Sequence, residues 1–468
     1  MTAYTDDMQG FIGRESELQR LESIRKSGYR TCAILGRRRI GKTALIDKFC
    51  EDKQVLKIPF IVGSEEQNVE RMCLCISEHT GSQFRTDSLE ETFQRIEQIC
   101  KEDIILVFDE YPYMAATSKR FPSMLQHLVD SVTSSTESMV IICGSSLSVM
   151  KDAIEDYQSP LYGRFMSRIE LDDLPFDECR LFHPEMKDVD LLKLYLTVGG
   201  VPIYHRMMSK DTYWANIVDH FIGPDADMAN EGESIVSRES RASLKHVAVT
   251  RAVASGSTSL KRIAESAGLD DSLCRTYLND LISIGVVGTD HPMVGAGKRI
   301  RYRIDDPLVD FFFSVTEPTA VLATSGTESN PIIDSMISTF LGKRFESFCA
   351  EFMMRNYRCA EVGKWWGPVF VDGEREDTDI DLVATVYDGV HKVDVLGECK
   401  FRNRLTGFTV LNTLKTRAEA THSQFGKRLA LFSVSGFEDD LIDYAEANGI
   451  MLFDLDVLTG AKRVPELD

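Results

Sequence analysis

The octapeptide Gly36-Arg37-Arg38-Arg39-Ile40-Gly41-Lys42-Thr43 constrains this chain more than any other stretch, because it fulfils the pattern G-x-x-x-x-G-K-[ST] in full. A short apolar, β-rich run, Thr31-Cys32-Ala33-Ile34-Leu35, precedes it, and Ala44-Leu45-Ile46-Asp47-Lys48-Phe49 can open a helix behind it. A strand, a loop and a helix N-terminus in that order make a cradle for phosphate: free backbone N–H groups and the positive end of the helix dipole face the anion. In that arrangement residues Gly36 to Ala44 line a nucleoside triphosphate, Lys42 reaches its β- and γ-oxygens, and the Thr43 hydroxyl ligates Mg²⁺. A glycine-punctuated surface turn is the alternative, and it leaves the flanking strand and helix signals without a purpose.

A second element supports the cradle. Ile104-Ile105-Leu106-Val107-Phe108-Asp109-Glu110 is a buried-strand run that ends in two carboxylates, as a Walker B strand requires. We assign Asp109 to the metal and Glu110 to the attacking water. Short apolar runs at 31–35, 56–62, 104–108 and 139–143 alternate with helical stretches, which predicts an α/β fold: a P-loop NTPase parallel sheet covered by helices, with nucleotide at the carboxyl ends of the strands. The run Met139 to Cys143 leads into Gly144-Ser145-Ser146, where a serine either senses the γ-phosphate or simply caps the next helix. Arg164 has two readings as well, an arginine finger on the phosphates or a surface ion pair. Gly199-Gly200-Val201-Pro202-Ile203-Tyr204 punctuates a helical lid, and residues 1–235 make up this first domain.

Composition excludes several classes. The 468 residues suffice for two to four domains, and no apolar run approaches the ~18 residues of a membrane span, so no membrane role is expected. The N-terminus, Met1-Thr2-Ala3-Tyr4-Thr5-Asp6-Asp7, lacks the basic and apolar regions of an export signal. Eleven cysteines without a C-x-x-C pair read as reduced core residues of a cytoplasmic protein. A formal charge of −20 argues against a chain that coats DNA indiscriminately.

Residues 236–310 differ in texture. Two amphipathic helices, over Ser257 to Gly268 and from Asp271-Ser272 through Leu281, have helix-turn-helix spacing, and the runs Val286-Val287 and Ile300 to Ile304 flank the loop 294–299 as a β-wing would. Between residues 240 and 305 ten Lys/Arg face six Asp/Glu, a local excess of four positive charges, with Arg275, Lys298, Arg299 and Arg301 placed for phosphates. This winged helix is read either as a DNA-binding module or as a packing lid. Residues 330–468 carry a further constellation: Thr378 to Val386 and Val393 to Phe401 alternate like two strands about the turn Asp388-Gly389-Val390-His391. A loop with an even number of residues places Asp381, Glu398 and Lys400 on one face, where two acids hold Mg²⁺ and the lysine stabilises charge on a scissile phosphate. Glu346, on a preceding helix, is a candidate fourth member and metal ligand. An exposed hairpin face with a solvated ion pair is the plainer reading of the same spacing.

Phe11-Ile12-Gly13-Arg14-Glu15, the arginine-rich loop, Phe108-Asp109-Glu110-Tyr111, Leu161-Tyr162-Gly163-Arg164 and Gly199-Gly200-Val201-Pro202 together resemble the archaeal-type ATPase family, close to the AAA+ and STAND NTPases. The resemblance implies ATP as the ligand and covers the first half of the chain. The pattern Asp381, Glu398-x-Lys400 behind a Glu-bearing helix resembles the PD-(D/E)xK nuclease superfamily. With Trp365-Trp366-Gly367, the segment looks like the nuclease-like tail attached to many such ATPases. No proline precedes Asp381, and Cys399 fills the variable position. The resemblance implies DNA as a partner through the winged helix and the tail, and a homo-oligomer is one expectation for the assembly. It leaves open a second class, a STAND-like switch whose tail binds partners without cutting.

Overall fold

The structure, a computed structural model, describes residues 10–223, 225–239, 244–293, 300–320, 331–371 and 374–467. Their contacts divide the chain into two units, one of Met1–Glu178 with Gly200–Met207, the other of Cys179–Gly199 with Met208–Asp468. Residues 179–199 and 208–235, included from the sequence in the first domain, lie with the second unit, while the short stretch containing Pro202 stays with the first.

Five parallel strands carry the first unit: β1 (Thr31–Leu35), β2 (Val55–Pro59), β3 (Ile105–Asp109), β4 (Met139–Gly144) and β5 (Ser167–Glu170), in the spatial order β2-β3-β4-β1-β5. Every residue of β1, β3 and β4 is buried, which is why these strands read as unbroken apolar runs and not as alternation. Strand β4 lies between β1 and β3, so the loop after β1 and the acids at the end of β3 open at the same edge, one strand apart. The helices between them start on local signals: Ser64 and Gln67 form a reciprocal capping box for Glu65–Thr80, and Ser88 caps Leu89–Ile99. One aromatic cluster fills the core on that side. Phe121 is fully buried and meets Phe60, Phe93, Phe108 and Tyr111 at ring-centroid distances of 5.3, 5.6, 5.9 and 5.9 Å.

In the second unit, helices Leu244–Ala254, Leu260–Ala267 and Asp271–Ser283 pack with the antiparallel pair β6 (Val287–Asp290) and β7 (Arg301–Ile304) around Val249, Ile263, Leu278, Leu281 and Ile304. Gly268 closes the second of these helices at φ 66°, a left-handed conformation that glycine adopts without penalty. The cap of the third helix falls one residue earlier than its sequence suggests: the Asp270 carboxylate accepts the Leu273 N–H. Of the four basic residues singled out here, Lys298 and Arg299 lie outside the described residues, Arg275 is exposed on its helix, and Arg301 stacks on Trp366 at 4.4 Å.

A second five-stranded sheet follows the 26-residue helix Pro331–Asn356. Strands β8 (Cys359–Val371), β9 (Glu374–Asp388) and β10 (His391–Lys400) form an antiparallel meander, and β11 (Gly426–Ser433) and β12 (Met451–Asp454) extend it in parallel. Helix Phe408–Glu419 covers one face through Leu411 and Leu414 against Val383, Leu396 and Leu431. The 331–356 helix uses Phe345 and Phe352 against Phe401 and Phe453. The β9–β10 turn has two residues, Gly389 and Val390, with Gly389 at φ 58°. Among the described residues no helix is long and apolar enough to cross a membrane.

Candidate functional site

The loop after β1 is shaped by close approaches. A Cβ on Gly36 would stand 2.8 Å from the Leu171 carbonyl oxygen, and Gly41 sits at φ 95°, so both glycines are needed for the backbone path. Arg39 takes a left-handed φ of 66°, at a cost of about 1–2 kcal/mol for a residue with a Cβ. Ile40 is fully buried and anchors the loop beneath. The helix Lys42–Cys50 makes its first ladder bond from the Leu45 N–H to the Gly41 carbonyl at 2.9 Å, which leaves the amides of Thr43 and Ala44 ahead of the ladder. The Lys42 ammonium, almost fully buried, donates to the carbonyls of Gly36 (2.8 Å) and Arg37 (2.9 Å) inside the loop's concavity.

The carboxylates at the end of β3 meet this loop. The Thr43 hydroxyl donates to Asp109 Oδ2 at 3.1 Å, so hydroxyl and carboxylate oxygens stand side by side. Glu110 holds a left-handed φ of 54° that turns its side chain across to β4, where the Ser145 hydroxyl donates to Oε1 at 2.7 Å and the Ser145 N–H to Oε2 at 3.2 Å. Ser145 therefore holds the second acid rather than capping the next helix, whose N-cap is Ser146. The three arginines diverge: Arg37 donates to both oxygens of Asp173 (2.6 and 2.8 Å), Arg38 to the Tyr113 hydroxyl (2.6 Å) and Arg39 to the Tyr204 hydroxyl (3.1 Å). Arg164 lies against Asp130, with two bonds of 2.9 and 3.0 Å, and also donates to the carbonyls of Pro160 and Tyr162; the ion-pair reading describes its position.

Asp173 and Gly200 gave no signal as site residues in the sequence. Asp173 accepts the Gly200 N–H at 3.1 Å as well as Arg37, and a Cβ on Gly200 would lie 1.9 Å from the Leu174 carbonyl oxygen. The double glycine thus permits a backbone contact that ties the Pro202 segment to the phosphate loop, and Pro202 approaches to 3.8 Å from a Cβ built on Gly41. Arg14, at φ 68°, is nearly buried and donates to the carbonyls of Ile40 and Asp172, which makes it a brace of the loop from behind.

In the second sheet the two-residue turn sets the register His391↔Asp388 through Gly397↔Leu382, and Asp381 and Glu398 follow as the next opposed pair on one face. Lys400 Nζ lies 2.7 Å from Glu398 Oε1 and 3.6 Å from Asp381 Oδ2. Asp381 also accepts the Cys399 N–H at 2.9 Å. Arg417, from helix Phe408–Glu419, donates through one nitrogen to both Glu398 oxygens at 3.1 and 2.9 Å. Burial pushes the Glu398 carboxyl above the ordinary glutamate range and Asp381 adds to the shift, with Lys400 and Arg417 opposing it. Glu346 is raised by burial too and is paired with Lys364 on β8. Among the described residues no three His, Cys, Asp or Glu side chains converge to hold a metal ion, so Glu346 does not complete a ligand set with Asp381 and Glu398 in this arrangement.

Comparison with known proteins bears on the first unit. Residues 11–207 match a family described as an ATPase domain predominantly from Archaea, and residues 312–419 match one described as Archaea bacterial proteins of unknown function. Residues 11–207 are thus similar to an ATPase domain, and the loop, strand and acid geometry of the first unit is that of a P-loop ATPase fold. An uncharacterized protein of Methanocaldococcus jannaschii is 25% identical over 384 residues, 80% of this chain and 84% of that protein. Among solved structures, a Walker-type ATPase of Pyrococcus abyssi shares the fold at a TM-score of 0.52 and 18% identity, over 66% of this chain and 99% of that one.

Proposed function

We propose that this chain hydrolyses ATP and acts on nucleic acid through its second unit, whose C-terminal sheet serves as a metal-dependent nuclease-like module. The convergence of Lys42, Thr43, Asp109 and Glu110 on one sheet edge carries the ATPase half. Lys42 is preplaced to exchange two loop carbonyls for phosphate oxygens, and Glu110, held by Ser145, orients the attacking water. The Thr43 hydroxyl and Asp109 carboxylate are hard oxygen donors that suit Mg²⁺, which supplies charge neutralisation across the β- and γ-phosphates when bound. Eleven free cysteines, nine of them buried, support a reducing, cytoplasmic setting.

The opposed pair Asp381 and Glu398 with Lys400 alongside supports the nuclease-like half. So does the order helix, three-stranded antiparallel meander, helix, parallel strand around them. The helices before β6 and the β6–β7 pair fit a winged helix that engages DNA. A STAND-like switch without cleavage is the second reading, and one observation favours it: Lys364, Lys400 and Arg417 already neutralise Glu346 and Glu398. A metal-dependent cleavage assay on single- and double-stranded DNA and RNA, with and without ATP, separates the two. The nuclease reading expects cleavage by the wild type and its loss in Asp381→Ala; no cleavage of any substrate by the wild type selects the switch.

A further inference from the structure

Among the described residues, two arginines in the loop after β10 stand without partners. Arg402 is partly buried and Arg404 exposed, and the guanidinium of neither makes a hydrogen bond or ion pair among the described residues. The Arg402 Nε is sealed from solvent with no acceptor, which is a costly state for a charged donor. In a chain with 73 acidic and 53 basic residues, a carboxylate is rarely far away, so two guanidiniums two residues apart that both lack a partner among the described residues are unexpected. Burial and the like charge of Arg404 both depress the Arg402 pKa and Glu438 opposes them, so an incoming anion acts as Glu438 does and favours the charged form.

The loop is fixed. The Arg402 carbonyl accepts the Ser435 hydroxyl, the Thr406 N–H donates to the Gly436 carbonyl at 3.0 Å, and the Thr406 hydroxyl donates to Ser433 at 2.9 Å. A guanidinium carried on a fixed backbone loses less freedom on binding than one on a loose loop. Its place matters as much: Arg402 comes two residues after Lys400 and four after Glu398. Arg417 spends only one nitrogen on Glu398, and its Nε and Nη2 make no other bond among the described residues.

We propose that Arg402 and Arg404, with the unused edge of Arg417, form a phosphate clamp that holds the phosphodiester backbone of a nucleic-acid strand beside Asp381, Glu398 and Lys400. The substrate class rests on the function proposed above. Three separate guanidinium forks suit successive phosphates of a strand, whereas a single inorganic phosphate is satisfied by one.

Fluorescence anisotropy of a labelled oligonucleotide, single-stranded and duplex, tests the clamp on the full chain in EDTA, where no metal-dependent cleavage occurs. The clamp expects wild-type binding that weakens steeply with salt, and a log–log salt slope about 1.4–1.8 smaller in the double variant R402A/R404A, as for two lost phosphate contacts. The charge-conserving R402K/R404K should keep most of that slope. Wild-type affinity and slope in R402A/R404A, at an unchanged thermal unfolding midpoint, overturn the proposal. So does full displacement of the oligonucleotide by inorganic phosphate at constant ionic strength, which marks a simple ion site. Binding that depends on these arginines in a protein that never cleaves supports the clamp and removes only the nuclease reading. Cleavage by a wild type whose oligonucleotide binding ignores both arginines does the reverse.

Discussion

The meeting of Lys42, Asp109 and Glu110 at one end of the sheet was legible because the roles proposed for them follow from chemical type at fixed spacing, whereas Ser145 and Asp173 act through partners far away in sequence. Ser145 reaches Glu110 only because β3 and β4 are neighbours, and nothing in the run Gly144-Ser145-Ser146 states which strand lies alongside. Asp173 is likewise one acid among many until the fold brings Arg37 and Gly200 to it. His183 gives a pH prediction at this level. Burial lowers its pKa from an ordinary 6.5 to about 4, so the folded chain holds it neutral. Between those values the unfolded chain binds the extra proton and the folded one does not, and stability therefore falls as pH drops through that window. The loss amounts to roughly 3 kcal/mol at most. Urea unfolding from pH 7 to 4 checks it: the second unit should weaken with acid, and His183→Gln should flatten this part of the profile.

Strands were read more faithfully than their ends. β1, β3 and β4 are buried throughout and apolar but for Thr31 and Asp109 at their ends, as strands inside a parallel sheet are, and that pattern cannot be mistaken for a surface helix. The cap at Asp270 was displaced by one residue because Asp270, Asp271 and Ser272 are all competent caps and only backbone geometry selects among them. The β9–β10 hairpin was legible for a firmer reason: Asp388-Gly389 signals a tight turn, the loop proves to be the two residues Gly389 and Val390, and an even loop fixes which side chains share a face. Phe121 offers a test of the first sheet's packing. It has no exposed surface and touches four aromatic rings, so Phe121→Ala should cost about 3–5 kcal/mol. Thermal unfolding followed by a signal from the first unit measures this, and a loss below about 1 kcal/mol would mean that the cluster relaxes to fill the gap.

The division of the chain was the least legible feature, since the boundary depends on long-range contacts: residues 179–199 leave the first unit and Gly200–Met207 return to it. The double glycine at 199–200 marks the return, because only glycine tolerates the approach to Leu174, yet the sequence shows it merely as punctuation. The proposed nucleotide site lies wholly in the first unit, and the Asp381, Glu398 and Lys400 group wholly in the second. Steady-state ATP turnover with Mg²⁺, measured beside equilibrium ATP binding for the wild type, Lys42→Ala and Glu110→Gln, tests the assignment of the first site most directly. The geometry predicts turnover in the wild type, weakened binding with turnover lowered on the order of 10²–10³-fold in Lys42→Ala, and retained binding with trapped, unhydrolysed ATP in Glu110→Gln. Turnover in Lys42→Ala or Glu110→Gln equal to that of the wild type would contradict it.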